Sequence, residues 1–155
     1  KPSHLPARLV RMSQLLEKNR LEEARGELEL LMTAPELRDL VRDDPECART
    51  LAVITYRLAR RGMMDGAVRL GRMLIVVSAE LGLPRGQAYY YLARARGIAA
   101  RTDPDQIAEA AENLHYARLA HPRFREWYRR DREFDPVRIQ LNAALDRLGE
   151  SGASY

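Results

Sequence analysis

The sequence predicts an all-α fold of stacked helix pairs, and three observations support this prediction. Apolar residues recur at helical spacing, capping residues divide the chain into short helices, and no stretch alternates polar and apolar residues long enough to indicate a strand. The same apolar stripe occurs three times, with a period of 43 residues. Its positions are Leu21, Ala24, Leu28 and Leu31; Met64, Ala67, Gly71 and Leu74; and Ile107, Ala110, Leu114 and Ala117.

Each stripe places its side chains on one face of a helix, because its members are three, four and three residues apart. An alanine always stands second, where a neighbouring backbone must come close. Short helices cannot bury such stripes alone. Recurrence at a fixed period therefore predicts that one unit stacks on the next.

Capping residues give the predicted helix boundaries. Asp44-Pro45, Asp103-Pro104 and Asp135-Pro136 each place a capping acid before a proline that fits the first helical turn, while Gly62 and Gly82 mark helix ends. The predicted helices cover residues 5–18, 21–33, 36–42, 45–61, 64–81, 85–101, 104–120, 123–131 and 136–148. The polar tail 150–155 is expected to fray.

The size and composition of the chain favour one soluble domain. A chain of 155 residues buries enough surface to fold without metal or disulfide, and its single cysteine, Cys47, is expected in the core or at its boundary. No apolar run approaches the roughly 18 residues of a membrane span. The chain begins Lys1-Pro2-Ser3-His4, without Met or a signal-peptide core, so we expect a cytoplasmic piece of a longer protein.

The charge pattern favours a solvated surface over a nucleic-acid footprint. The net charge is +4. Of the 26 basic residues, 24 are arginines and two are lysines, Lys1 and Lys18. The basic residues are mixed along the chain with 22 acidic ones. We therefore do not expect nucleic acid as the partner. Arginine does present a rigid fork to carboxylates, so any groove that arginines line would favour acidic ligands.

No pattern in the sequence predicts catalysis. His4, His115 and His121 lack metal-ligand spacing, no glycine-rich phosphate loop follows a strand, and no serine has a histidine and aspartate constellation around it. We therefore expect neither an enzyme nor a metal or cofactor site.

Two aromatic segments need an interpretation. Tyr89-Tyr90-Tyr91 point about 100° apart on a helix, so at least one faces solvent or a groove, unless all three pack with their hydroxyls at the rim. Phe124, Trp127 and Tyr128 share one helical face among arginines. Such a segment can stack on single-stranded nucleic acid, but a continuous stripe favours a capping helix that buries it.

The large and small residues of the three units alternate in a way that resembles tetratricopeptide repeats. The second unit carries the resemblance through Leu51, Ile54, Thr55, Leu58, Gly62, Ala67, Gly71 and Leu74. The first does so through Leu15, Asn19, Ala24, Leu28, Leu31 and Pro35, and the third through Tyr91, Ala95, Ile98, Ala110, Ala117 and Pro122.

The resemblance implies a right-handed α-solenoid in one domain, 1–149, with about three helix pairs at 5–42, 45–82 and 85–122 and C-terminal capping helices at 123–149. The segment 134–138 resembles the end segment found after many bacterial arrays of this family. The 43-residue spacing exceeds the common unit of about 34 residues, so the repeat is divergent.

For function, the resemblance implies a scaffold or adaptor that binds a peptide or partner protein. The alternatives are a regulatory domain of a larger bacterial signalling or transcription-regulatory protein and, third, a basic nucleic-acid-binding repeat. Oligomeric state and the choice between concave and convex surface stay open.

In this family the first helix of each pair lines a concave groove. By that resemblance the groove would carry Ser13, Glu17, Arg49, Tyr56, Arg60, Tyr89 and Arg96. Arginine forks and tyrosine rings would suit an acidic peptide or a free carboxylate. The Asn and Lys residues of the family's carboxylate clamp are missing at these places.

Overall fold

The computed structural model describes residues 4–149, and within this range every regular element is helical. The α-helices are α1 (Leu5–Glu17), α2 (Leu21–Met32), α3 (Leu37–Asp43), α4 (Pro45–Arg60), α5 (Met64–Glu80), α6 (Gly86–Ala99), α7 (Gln106–Ala120), α8 (Arg123–Arg130) and α9 (Arg138–Arg147). A 3-10 helix covers Arg132–Val137 between α8 and α9. The all-α prediction is confirmed, and the predicted tail 150–155 lies outside the described residues. None of the described helices is long and apolar enough to cross a membrane.

The predicted helix boundary residues lie at helix ends in the structure at three of the five positions. Asp44 caps α4, because its carboxylate accepts the backbone N–H groups of Glu46 at 3.0 Å and Cys47 at 3.4 Å. Gly62 and Gly82 follow α4 and α5 with φ of 78° and 68°, the left-handed conformation that glycine adopts without strain.

The other two predicted caps are wrong in position. Asp103 accepts the backbone N–H of Asp105 at 3.1 Å in a turn, so α7 begins two residues later than expected, at Gln106. Asp135 and Pro136 lie inside the 3-10 helix, which Asp131 caps instead by accepting the N–H of Glu133 at 3.1 Å. The 3-10 helix buries Phe134 and Val137. Local capping rules do not predict this helix.

The three apolar stripes are buried in the same pattern. Their first members are half-buried and all the others are buried. The first helices of the predicted pairs contact one another in order, α1 with α4 and α4 with α6, and each also contacts its following partner. The short α3 packs on α4 and α5. The core therefore runs the length of the described chain.

The C-terminal helices cover α6 and α7. Phe124, Tyr128 and Phe134 are buried there and Trp127 is half-buried, so the aromatic stripe packs against the fold as the capping interpretation predicts. Tyr90 is buried among these rings, with the Phe124 centroid 5.7 Å away, while Tyr89 and Tyr91 are half-buried.

Enlarging the second residue of a stripe should overpack a helix crossing. Ala67 and Ala110 are fully buried, so Ala67→Leu and Ala110→Leu should each lower the free energy of unfolding by about 1–3 kcal/mol. Ala108→Leu, at an exposed position of α7, is the matched control and should change it by less than about 0.5 kcal/mol. Urea denaturation measures all three, and equal stability of the three variants would contradict the packing role.

Candidate interaction site

A groove runs between α1 and α4 and consists of two adjoining cavities of about 430 and 400 Å³. Glu17 lines both cavities, so the two adjoin at this residue and are described together. We call it the α1/α4 groove. Its lining residues are Pro6, Leu9, Val10, Ser13, Gln14, Leu16, Glu17, Glu46, Cys47, Thr50, Tyr56, Arg57, Arg60 and Arg61.

The end of the groove nearer the start of both helices is apolar. Leu9 and Cys47 are buried at its floor, and Val10 is exposed beside them. Burial and, after it, a hydrogen bond to the Asp44 carboxylate together raise the pKa of the Cys47 thiol to about 11. The thiol is therefore protonated at neutral pH and serves as part of an apolar floor instead of as a nucleophile.

The opposite end of the groove is positively charged. Arg57, Arg60 and Arg61 lie there beside Tyr56. Arg61 donates to the backbone carbonyl of Glu17 at 3.2 Å and so ties α4 to the end of α1. Arg57 has no carboxylate partner among residues 4–149, which leaves its guanidinium available to a ligand.

The tyrosine and arginine side chains of this end already bind a carboxylate from the same chain. The Tyr56 hydroxyl donates to Glu133 at 2.6 Å, and Arg60 donates to the same oxygen. Arg101 of the turn after α6 donates to the other Glu133 oxygen at 3.0 Å. Burial raises the pKa of the Glu133 carboxyl, but these hydrogen bonds and the arginine charges outweigh it and lower the pKa overall.

A second carboxylate lies beside the first. Asp131 accepts the Tyr90 hydroxyl at 2.7 Å and an Arg94 N–H at 3.2 Å. The Arg94 guanidinium also stacks on the Tyr56 ring, 3.9 Å from its centroid. One tyrosine and arginine layer on α4 and α6 thus holds two acids of the C-terminal segment.

The structure brings four of the seven predicted groove residues together and separates the other three. Ser13, Glu17, Tyr56 and Arg60 line the α1/α4 groove. Arg49 pairs with Glu46 and lines a different cleft at the start of α4.

Tyr89 and Arg96 both face α7. The Tyr89 ring packs on Tyr116 with centroids 5.3 Å apart. Arg96 is only 5% exposed and donates to Asn113 and Gln106 at 3.1 Å and to Glu109. Tyr89 and Arg96 therefore do not line the α1/α4 groove, because the register of α6 turns them toward its own partner helix.

The prediction missed Arg57, Arg61 and Glu133. Arg57 and Arg61 flank the predicted Tyr56 and Arg60 in sequence, so a wider reading of the α4 face could have included them. Glu133 lies 77 residues from Tyr56 in the sequence, so no local sequence pattern predicts the contact between them.

The described part of the chain holds no group of three His, Cys, Asp or Glu side chains that could bind a metal ion. No family model, curated protein or solved structure matches this chain.

Proposed function

We propose that this chain is a protein-interaction domain, a scaffold or adaptor of tetratricopeptide-like helix pairs, and that it binds an acidic peptide segment of a partner in the α1/α4 groove. The observation that carries the proposal is the capture of Glu133 by Tyr56 and Arg60. A surface that holds a carboxylate of its own chain has the chemistry to hold one from a partner.

The order of helix contacts supports a repeat architecture for this domain. Contacts from α1 to α4 to α6 put the first helices of successive pairs side by side, as in a solenoid of about three units. In such an array these helices line the concave surface, where extended ligands bind. The right-handed, three-repeat arrangement is part of the proposal.

The two ends of the groove define the ligand. Leu9, Val10 and Cys47 offer apolar contact at one end, and Arg57 and Arg60 offer charge-assisted hydrogen bonds at the other. A peptide with apolar side chains at one end and acidic side chains at the other matches these two ends. The groove then supplies both buried area and charge complementarity.

The nucleic-acid alternative receives less support from the structure. Most arginines of the described part form an ion pair with a carboxylate, so their charge is compensated locally. A nucleic-acid surface needs arginines that face phosphate without a competing acid.

A labelled peptide in which two leucines precede a run of glutamates tests the proposal directly. We expect it to bind, and we expect Arg57→Glu to weaken binding at least about tenfold, which is about 1.4 kcal/mol. Arg60→Glu should do the same, and Arg147→Glu, on the exposed end of α9, is the matched control and should leave affinity unchanged.

With a protein captured by an unbiased pull-down, Arg57→Glu and Arg60→Glu should again weaken binding, and Arg147→Glu should not. If the captured partner and the peptide bind Arg57→Glu and Arg60→Glu as tightly as the parent, the groove arginines do not contact the partner and the interaction surface lies elsewhere.

A further inference from the structure

A second cavity lies outside the α1/α4 groove and shares only Glu46 with it. It has a volume of about 640 Å³ and opens where α4, α6 and α8 begin. We call it the N-terminal cleft. Residues that line it include Val41, Ala52, Ser78, Gly86, Arg123 and Phe124.

The floor of this cleft is apolar. Val41, Ala52 and Phe124 are buried there, and Leu83 and Ala120 continue the apolar surface. Cavities of roughly 300–1,000 Å³ with apolar walls and a few polar groups are typical of small-molecule sites. The size and lining therefore fit a ligand with an alkyl or aryl body.

The start of α6 points unsatisfied donors at the cleft. Arg85 gives α6 no side-chain cap, and the first turn contains no acidic residue. The backbone N–H groups of Gly86, Gln87 and Ala88 have no acceptor among the described residues. Helix α4 differs, because Asp44 caps it. Three orphan amides at the positive end of a helix favour an anion.

The Ser78 side chain provides an independent observation. Ser78, near the end of α5, is 6% exposed and lines the cleft, and its hydroxyl has no hydrogen-bond partner within residues 4–149. Its oxygen is not among the fully buried unpartnered atoms of the described residues, so it reaches the surface of the cleft. A ligand oxygen bound there can accept its hydrogen bond in place of water.

The charge around the cleft is positive. Three arginines line it against one carboxylate, that of Glu46. Arg42 and Arg49 pair with acids of their own helices, whereas Arg123 has no acidic partner in the described chain and rests over the Phe124 and Trp127 rings, 5.0 and 5.7 Å from their centroids.

Arg123 lines the same cleft as the first residues of α6. A Cβ added at Gly86 would overlap the Phe124 ring, so the first turns of α6 and α8 are in contact. His121 accepts the backbone N–H of Arg123 at 3.0 Å through Nδ1, so its Nε2 is the protonated nitrogen of the neutral ring and adds another donor.

We propose that the N-terminal cleft binds a small apolar carboxylate. Its alkyl or aryl body lies on the Val41, Ala52 and Phe124 floor. Its carboxylate accepts hydrogen bonds from the α6 amides, the Ser78 hydroxyl and Arg123. The site is separate from the proposed peptide groove and does not depend on it.

Octanoate is the probe, and the single tryptophan is the reporter. Trp127 packs against Phe124 with ring centroids 4.8 Å apart and lies under Arg123, so a carboxylate that draws Arg123 away should change its fluorescence. We expect saturable binding of octanoate to the intact chain. Octanol, which lacks the charge, and acetate, which lacks the apolar body, should each bind at least tenfold more weakly. Equal affinity for octanol and octanoate, or no saturation with octanoate, overturns the proposal.

Two variants locate the site, and calorimetry measures their affinity independently of the fluorescence signal. Arg123→Gln should weaken octanoate binding at least tenfold, and Ser78→Ala about threefold, because one hydrogen bond is lost. Arg147→Gln, at an exposed arginine of α9 that does not line the cleft, should bind like the parent. Unchanged affinity in both cleft variants, with helical circular dichroism preserved, places the octanoate elsewhere and overturns the proposal.

Discussion

Phe134→Ala is expected to lower the free energy of unfolding by about 3–5 kcal/mol, because it removes a fully buried ring from the C-terminal core. The Phe134 ring meets Tyr128 and Tyr90 at centroid distances of 5.0 and 6.0 Å. It also lies where a Cβ on Gly97 would come within 3.0 Å, so α6 approaches it closely. Alanine would therefore leave a cavity among these rings, which adds to the loss of buried apolar surface.

Urea denaturation with a fitted midpoint and slope measures this loss. Ile139→Ala is the control from the neighbouring α9, since Ile139 is 84% exposed and its truncation should cost less than about 0.5 kcal/mol. A Phe134→Ala variant as stable as Ile139→Ala would show that the C-terminal segment does not contribute to the cooperative core.

Asp131→Ala is expected to cost about 2–4 kcal/mol, since it leaves three donors without an acceptor. These donors are the buried Tyr90 hydroxyl, an Arg94 N–H and the backbone N–H of Glu133. Burial, together with the Asp131 charge, raises the pKa of Tyr90 well above its usual value. The Tyr90 hydroxyl therefore stays protonated, and in the Asp131→Ala variant it remains a buried donor that has lost its acceptor.

Asp135→Ala is the matched control, four residues away. Asp135 pairs with Arg138 but its side chain is 61% exposed, so its removal should cost only about 0–1 kcal/mol. The difference between the two variants in thermal or urea unfolding measures what burial adds to an acidic contact. Equal losses would mean that the Tyr90 and Arg94 contacts to Asp131 do not stabilise the fold.

The helices themselves could be predicted because their causes are local. The Leu21, Met64 and Ile107 stripes, the Asp44 cap and the glycines at 62 and 82 act within one or two turns of chain, and all of them are found in the structure. The burial of Phe124 and Tyr128 follows from the same local reasoning, since a stripe of aromatics on a short helix must be covered.

The candidate site depended on contacts between distant parts of the chain. Ser13 and Tyr56 both line the α1/α4 groove, whereas Arg96 forms an ion pair with Glu109 of α7. A residue's helix can be derived from nearby sequence, whereas the face it presents depends on every neighbour that the helix has.

The sequence by itself determined the all-α class, most of the helix boundaries and the buried stripes, since these follow from side-chain spacing and capping. Only the tertiary structure decided that Glu133 lies against Tyr56, that Asp131 caps a 3-10 helix which contains Asp135, and that the starts of α4, α6 and α8 enclose a cleft. These features join residues tens of positions apart. Their geometry is set by how whole helices pack, and helix packing minimises exposed apolar area over the entire chain instead of within any one segment.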